Sequence, residues 1–180
     1  PAQEAPIASL LRNEDVIGIM PTGAGKSICF QIPALCKAGL TIVFSPLISL
    51  MKDQVDGLLV QNIPAALINS TLTQAEFNKT MYEVRSGKIK LLYIAPERLG
   101  SNFFCNVLRA LPIAQVIVDE AHCISEWGHD FRPSYRLIGE WLNSLPKRPI
   151  VGAFTATATK YVENDIKKLL GLDNANVYVT

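Results

Sequence analysis

Short apolar runs alternate along the chain with longer segments whose apolar residues recur at helical spacing, and this alternation constrains the fold most strongly. The runs are rich in Val, Ile and Leu and contain few polar residues, which is typical of parallel strands covered on both faces. They predict strands at residues 16–20, 41–46, 65–69, 90–95, 115–119 and 150–155. The segments between them predict helices at residues 26–38, 47–60, 74–86, 133–145 and 159–170.

The same alternation predicts how the elements assemble. Strands separated by helices favour one α/β domain with a doubly wound, mainly parallel sheet and helices on both faces. Gly39, Gly87 and Gly171 stand just past predicted helix ends, where a left-handed residue is often needed. The length of 180 residues suits one domain, and a hydrophobic content of 49% predicts a well-packed core. Because the chain begins at Pro1 and ends in a strand-like run at 176–180, we expect a fragment of a larger protein.

Charge and cysteine content narrow the setting in which the protein works. The net charge of +1 gives little long-range attraction for nucleic acid, so such a partner has to be bound by local basic groups. The 4 cysteines lack metal-binding spacing, so we expect free thiols in a reducing compartment. No apolar stretch reaches the roughly 20 residues that cross a bilayer, and no membrane partner is expected. We therefore expect an intracellular protein, in the cytoplasm or nucleoid of a bacterium or the nucleus of a eukaryote.

A glycine-rich segment, M-P-T-G-A-G-K-S at residues 20–27, follows the first predicted strand and opens the first predicted helix. In this context backbone N–H groups can surround phosphates, Lys26 can reach the outer phosphates, and Ser27 can bind Mg²⁺. A strict P-loop has glycine six positions before the lysine, where this chain has Met20. The alternative is a surface turn with a glycine pair. The residues predicted to hold the nucleotide are Thr22, Gly23, Ala24, Gly25, Lys26 and Ser27.

Two carboxylates, Asp119 and Glu120, follow the apolar run of the fifth predicted strand. Such a pair is costly unless it binds a cation or serves as a base. We assign Asp119 to Mg²⁺, through water, and Glu120 to orienting the attacking water, with Lys26 as the third catalytic residue. His122 is interpreted as coupling the carboxylates to a neighbouring element, and the alternative is a core histidine satisfied by a backbone carbonyl. The carboxylates and the glycine-rich segment together predict a nucleoside-triphosphate site.

A loop rich in aromatic residues, W-G-H-D-F-R at residues 127–132, follows these carboxylates. Aromatic rings stack on nucleobases with about 1–3 kcal/mol per base regardless of sequence, and arginine can pair with phosphate. The residues predicted to sense DNA are Trp127, His129, Phe131 and Arg132. From the residues alone, the two aromatic rings could equally belong to the core of an ordinary loop.

Turns at three other predicted strand ends supply further candidates for nucleic-acid contact. The residues that could hold a sugar-phosphate backbone are Ser45, Ser49, Lys52 and Arg98. By spacing alone, these belong equally well to ordinary strand–helix turns. Thr155 and Thr157 could link the carboxylates to the DNA side, while capping of the last helix by Thr159 is a competing role for this cluster.

The string D-E-A-H-C-I-S-E-W-G-H-D-F-R-P at residues 119–133 closely resembles the RecQ family of DNA helicases. It is far more specific than the D-E-A-H tetrapeptide, which several helicase groups share. Residues 20–27, 45–54, 93–99 and 155–158 resemble further stretches of that family, in family order. The resemblance therefore covers essentially the whole chain and implies that residues 1–180 form an N-terminal RecA-like, P-loop helicase ATP-binding domain, the first of two motor domains.

The resemblance also implies an activity for the parent protein. RecQ proteins use ATP and Mg²⁺ to translocate 3′ to 5′ on single-stranded DNA and to unwind duplex DNA, and their aromatic-rich loop couples DNA binding to ATP hydrolysis. Gln3 resembles the glutamine of the adenine-reading motif, without the aromatic residue and arginine expected upstream. A second RecA-like domain of the same parent chain is the expected partner. Its arginine finger would contribute about 10³–10⁵ in rate, so this chain alone is expected to bind nucleotide weakly and hydrolyse it poorly.

Two alternatives differ in substrate or in chemistry. A motor domain of another DEAD or DEAH group would act on RNA, but those groups are not expected to carry the loop at 127–132. A nucleotide-binding module would bind without turnover, but Lys26, Asp119 and Glu120 are all present and argue against lost chemistry.

Overall fold

The structure, a computed structural model, describes residues 1–180 and contains one sheet flanked by helices. The strands are β1 (Val16–Ile19), β2 (Leu40–Phe44), β3 (Ala65–Ile68), β4 (Leu91–Ile94), β5 (Ile113–Val118), β6 (Ile150–Thr155) and β7 (Asn176–Val179). The helices are α1 (Glu4–Leu11), α2 (Lys26–Cys36), α3 (Ile48–Val60), α4 (Gln74–Arg85), α5 (Asn102–Arg109), α6 (Tyr135–Ser144) and α7 (Lys160–Leu170). Two 3₁₀ helices span Pro96–Gly100 and Ala121–Ile124.

The hydrophobic core is divided by the sheet into two clusters of 30 and 16 buried residues. Successive side chains of a strand point to opposite faces, so Ile42 and Phe44 of β2 lie in the larger cluster and Val43 lies in the smaller one. Helices α1, α2 and α3 contribute to the smaller cluster, and α4 to α7 contribute to the larger one. The predicted doubly wound α/β fold is confirmed.

The sheet has seven strands in the order β3-β4-β2-β5-β6-β1-β7. Every neighbouring pair is parallel, so the sheet is parallel throughout rather than mainly so. Strand β6 lies between β1 and β5, pairing Gly152 with Val16 on one side and with Ile117 on the other. Because the carboxyl ends of parallel strands share one edge of the sheet, the segments after β1, β5 and β6 meet there.

Helices α1 and α5 were not predicted from the sequence. Each spans 8 residues, which gives the apolar pattern barely two turns in which to repeat. In α5 the buried residues are Phe104 and Leu108, one turn apart, and the Ser101 hydroxyl caps the helix by accepting from the Phe104 N–H at 3.3 Å. The strand-like run near the chain end is confirmed as β7, which pairs with β1.

The three glycines predicted at helix ends behave differently. Gly171 (φ 68°) and Gly87 (φ 79°) are left-handed where α7 and α4 end. Gly39 (φ 103°) also has a positive φ, but it does not cap α2, because the helix ends at Cys36 and is followed by the extended Lys37. Gly39 instead begins the turn into β2, where an added Cβ would lie 2.7 Å from the Pro112 carbonyl oxygen. None of the helices has the length and hydropathy that crossing a bilayer requires.

Candidate active site

Three strand ends bring the predicted nucleotide residues together. The backbone N–H of Met20 donates to the Thr155 carbonyl at 2.9 Å, which joins the segment after β1 to the end of β6. The N–H of Asp119 donates to the Phe44 carbonyl at 2.9 Å, which fixes the first carboxylate at the end of β2. The glycine-rich segment and the two carboxylates therefore occupy the same edge of the sheet, with the end of β6 between them.

The glycine-rich segment has the backbone that an anion site requires. Gly23 (φ 82°) and Gly25 (φ 79°) are both left-handed, a conformation that residues with a Cβ rarely adopt. Gly25 is also the N-cap of α2 and offers no side-chain acceptor to the first turn of that helix. The N–H groups of this turn, together with the helix dipole, form an anion-binding surface suited to phosphate.

Met20 occupies the position where a strict P-loop has glycine, and its geometry accounts for the departure. Its side chain is fully buried in the smaller cluster, 3.8 Å from the Cys29 Sγ, so it packs away from the phosphate side. Its backbone carbonyl accepts a hydrogen bond from Lys26 Nζ at 3.1 Å. Position 20 thus contributes a main-chain acceptor for the lysine, which a methionine supplies as well as a glycine does.

Three glutamine and tyrosine contacts support this segment from other elements. Gln3 Nε2 donates to the Ala24 carbonyl at 2.6 Å, so Gln3 lies beside the glycine-rich segment. Gln54 Nε2 of α3 donates to Ser27 Oγ at 3.3 Å, and Gln54 Oε1 accepts from the buried Tyr93 hydroxyl at 2.8 Å. Sequence reasoning missed Gln54 and Tyr93, although both lie within stretches that resemble the helicase family.

Asp119 is 5% exposed, and its carboxylate is held by the chain itself. Its Oδ1 accepts from the Glu120 N–H at 2.9 Å, and its backbone carbonyl accepts from the Tyr135 hydroxyl at 2.8 Å. Burial, with the neighbouring Glu120 charge, raises the pKa of Asp119 to about 6, while Lys26 opposes the rise. A buried anion with this pKa is stabilised by a nearby cation, so Asp119 and the Ser27 hydroxyl are oxygen donors that fit Mg²⁺.

Glu120 and His122 connect the carboxylates to the end of β6. Glu120 has a left-handed backbone (φ 50°), which is strained for a residue with a side chain and is often found at functional sites. His122 Nδ1 lies 2.7 Å from Thr155 Oγ1 and 3.4 Å from Glu120 Oε2. Because the Thr155 hydroxyl donates to the Thr157 carbonyl at 3.2 Å, it accepts from His122, which places the ring proton on Nδ1. His122 thus contacts both Glu120 and Thr155, and its coupling role stays a prediction.

The other side of the His122 ring faces the loop at 127–132. His129 stacks on it with ring centroids 4.4 Å apart and an interplanar angle of 17°. Burial lowers the pKa of His122, which favours the neutral ring, and this allows two imidazoles to stack without charge repulsion. The loop and the carboxylates therefore share one histidine.

Cys123 and Asp130 form a second contact between the carboxylate segment and the loop. Cys123 Sγ lies 3.7 Å from His122 Nε2 and 3.8 Å from Asp130 Oδ2, and burial raises the pKa of Cys123 to about 12. The ligand atoms of these three residues lie within 4.8 Å of one another, a spacing that a soft metal ion could bridge. Arg132 Nε lies 3.2 Å from the same Asp130 oxygen, and its charge opposes a cation there. One hydrogen bond from the protonated thiol to Asp130, together with the Asp130–Arg132 ion pair, accounts for the cluster.

The aromatic residues of the loop are exposed to different degrees. Trp127 is 71% exposed, which contradicts a core role, whereas Phe131 is half-buried with the Arg136 guanidinium 5.2 Å from its ring centroid. Arg132 Nη1 donates to the Pro46 carbonyl at 3.3 Å, so the loop also contacts the turn after β2.

The remaining candidates lie on both sides of that turn. Ser49 and Lys52 are exposed on α3, and Arg98 lines a groove of about 360 Å³, with its guanidinium over the Phe77 and Phe104 rings. Ser45 is 1% exposed and its hydroxyl oxygen is buried, so the side chain lies in the interior rather than against a nucleic acid. This corrects the assignment of Ser45 as a contact residue. Ser45 directly follows β2 and is buried together with the end of that strand.

The three threonines at and after the end of β6, Thr155, Thr157 and Thr159, have different contacts. Thr155 is buried and joins His122, whereas Thr157 is exposed and contributes its carbonyl rather than its hydroxyl. Thr159 caps α7 by accepting from the Val162 N–H at 3.4 Å, so the competing capping role is confirmed for this residue.

The chain is similar in sequence to known helicases. The ATP-dependent DNA helicase RecQ of Bacillus subtilis (strain 168) is 53% identical over 162 residues, which cover 90% of this chain and 27% of the relative. RecQ of Pasteurella multocida (strain Pm70) is 47% identical over 177 residues, which cover 98% of this chain and 28% of the relative. The chain thus spans little more than a quarter of the length of these relatives.

Solved helicase structures share the fold at low identity. The Pyrococcus furiosus Hef helicase domain aligns over 97% of this chain and 36% of its own, with a TM-score of 0.74 and 18% identity. The DNA-bound helicase MrfA aligns over 99% of this chain and 25% of its own, with a TM-score of 0.77 and 16% identity. The family model described as DEAD/DEAH box helicase matches residues 1–165. Because that match extends over nearly the whole chain, the protein belongs to the DEAD/DEAH box helicase family.

Proposed function

We propose that this chain is the ATP-binding motor domain of a RecQ-type DNA helicase, occupying residues 1–180. Hydrolysis of Mg-ATP drives the parent protein 3′ to 5′ along single-stranded DNA and separates duplexes. The observation that carries this proposal is the contact path from Glu120 through His122 to His129, which joins the nucleotide side to the aromatic loop. The direction of movement rests on the resemblance to RecQ proteins.

The nucleotide is held by the segment between β1 and α2. Backbone N–H groups around Gly23 and Gly25 bind phosphate oxygens, Lys26 binds the outer phosphates, and Thr22 and Ala24 complete the cradle. Gln3 reads the adenine, in keeping with its position beside the Ala24 carbonyl.

Two residues with oxygen donors would hold Mg²⁺. These are Ser27, whose hydroxyl is oriented by Gln54, and Asp119, whose buried carboxylate has a raised pKa. When bound, Mg²⁺ neutralises negative charge on the phosphate oxygens. The Glu120 carboxylate accepts a hydrogen bond from the attacking water and orients it. The backbone N–H of Glu120 donates to the Asp119 carboxylate, which holds Glu120 in position.

The loop at 127–132 and the neighbouring strand ends bind DNA. Trp127 and Phe131 stack on bases, while His129 and Arg132 transmit the loop position to His122 and to the Pro46 turn. The sugar-phosphate backbone is held by Ser49, Lys52 and Arg98, with Thr155 and Thr157 connecting this side to the carboxylates.

A second RecA-like domain of the parent chain supplies the missing charge for catalysis. The length of the relatives supports this partner, because this chain covers 27% and 28% of two of them. An arginine finger in that domain contributes about 10³–10⁵ in rate, so the isolated chain turns over slowly and does not unwind DNA. We infer that the parent protein acts where DNA is located, in the nucleoid or the nucleus.

The test compares the ATPase rate of the full-length protein with single-stranded DNA, duplex DNA and RNA at equal nucleotide concentration. Single-stranded DNA is expected to stimulate most, and Trp127→Ala or Phe131→Ala is expected to remove the stimulation. Lys26→Ala controls for contaminating ATPases. Stronger stimulation by RNA would favour an RNA motor, and absence of turnover under all conditions would identify a binding module. Unchanged stimulation in both aromatic variants would contradict the DNA-sensing role.

A further inference from the structure

Tyr161, in the first turn of α7, forms an aromatic pair with Trp127 of the loop. Their ring centroids are 5.7 Å apart with an interplanar angle of 32°, within the range of favourable aromatic pairs. Tyr161 is 70% exposed and Trp127 is 71% exposed, so the contact buries little of either ring. Of the exposed aromatic residues, these two alone contact each other.

The backbone of the loop is joined to α7 beside this pair. The Trp127 backbone N–H donates to Ser125 Oγ at 3.1 Å, and the hydroxyl of the fully buried Ser125 donates to Asp165 Oδ2 at 2.6 Å. Asp165 lies four residues after Tyr161, so both side chains project from the same face of α7 toward the loop. These bonds hold the Trp127 backbone close to the helix that carries Tyr161.

This aromatic pair adjoins the residues that connect to the carboxylates. Trp127 lines a groove of about 310 Å³ together with His122, His129 and Thr157. A flat ligand on the rings would therefore lie beside the His122 ring, which bonds to Thr155 and contacts Glu120. Rings this exposed are available to a flat aromatic ligand rather than to the protein core.

We propose that Tyr161 and Trp127 form a platform on which an unpaired base of single-stranded DNA stacks. Tyr161 contributes its own ring face and restricts the motion of the Trp127 indole. Every nucleobase has an aromatic face, so the platform favours unpaired strands without regard to sequence. The inference rests on the proposed function, in which the loop at 127–132 binds DNA, and it extends that site to α7.

The experiment separates base stacking from phosphate binding in the full-length protein. Half-saturating concentrations are measured by fluorescence anisotropy for labelled oligothymidylate and for an abasic oligonucleotide of the same length, in wild type, Tyr161→Ala and Tyr161→Phe. Tyr82→Ala is the matched control, since Tyr82 is 67% exposed on α4. We expect Tyr161→Ala to weaken oligothymidylate binding about tenfold, within the range for one stacked base, and to leave abasic binding unchanged. Tyr161→Phe should bind like wild type.

Other outcomes identify which idea fails. If Tyr161→Ala binds oligothymidylate normally, or loses both oligonucleotides equally, the platform is refuted. A tenfold loss in Tyr82→Ala would also refute it, because the effect would then not depend on the site. If Trp127→Ala abolishes stimulation of the ATPase by DNA while Tyr161→Ala binds normally, the proposed function stands and only the role of Tyr161 fails. If Trp127→Ala and Phe131→Ala also bind and respond normally, the DNA-sensing role of the loop at 127–132 is wrong as well.

Discussion

Replacement of Asp119 by asparagine should stabilise the fold fully above about pH 6 and only slightly near pH 4. The pKa of the Asp119 carboxyl rises from 3.8 to about 6 on folding, mainly because the group is buried. A raised pKa means that the ionised form is disfavoured in the native state, so the stability of the wild type falls as the pH rises from 3.8 to about 6 and stays at the lower level above that range. At about 1.4 kcal/mol per pKa unit, the penalty is about 3 kcal/mol at pH 8.

Asparagine preserves the local geometry that makes this comparison meaningful. Its amide oxygen can still accept from the Glu120 N–H, which the carboxylate binds at 2.9 Å, while the charge is removed. Urea denaturation of both chains at pH 4 and pH 8 measures the difference in the free energy of unfolding. The advantage of Asp119→Asn should be about 3 kcal/mol at pH 8 and below about 1 kcal/mol at pH 4, because the native carboxyl is then protonated and the unfolded one, with a pKa of 3.8, has lost its proton in only part of the chains. An equal difference at both pH values, or destabilisation at pH 8, would refute the reasoning.

Three other substitutions test separate contacts of the site. Lys26→Ala should leave the melting temperature of the domain within a few degrees and lower the full-length ATPase rate at least about 10²-fold, as loss of one charge-stabilising donor does elsewhere. Thr155→Val should lower the ratio of DNA-stimulated to unstimulated ATPase and cost about 1–3 kcal/mol by urea denaturation, because the buried His122 Nδ1 proton loses its 2.7 Å acceptor; an unchanged ratio would exclude the coupling path. Gly128→Ala should destabilise the loop by about 1–3 kcal/mol, since the new Cβ would lie 2.6 Å from the His122 carbonyl oxygen, and unaltered melting would contradict that geometry.

Features set by local sequence could be predicted in advance. The buried strands are short runs of Val, Ile and Leu, and the glycine-rich segment requires left-handed residues at fixed spacing, so both are visible without a structure. The carboxylates after β5 were visible for the same reason, because a charged pair directly after an apolar run calls for a chemical explanation. Element type and nucleotide chemistry follow from neighbouring residues.

Features that depend on tertiary contacts could not be predicted in this way. Gln54 reaches Ser27 across 27 positions, and Tyr93 reaches Gln54 across 39, so neither carries a local signal. From the sequence, Tyr161 is indistinguishable from any exposed helical residue. Its contact with Trp127 is visible only once α7 is placed against the loop. For Ser45 the sequence predicted a contact that the structure does not place at the surface, because a serine in a strand–helix turn gives no indication that it is buried.

The hydrogen bond between Lys26 Nζ and the Met20 carbonyl has a consequence for the entropy of anion binding. An ammonium has three N–H donors, and the Met20 carbonyl accepts from one of them at 3.1 Å, so two stay available for phosphate oxygens. A free lysine side chain loses up to about 2 kcal/mol of rotamer entropy when it is ordered. Because the main chain already holds Lys26 in one position, part of that loss is incurred on folding, and an anion that binds to the remaining donors has less of it to overcome.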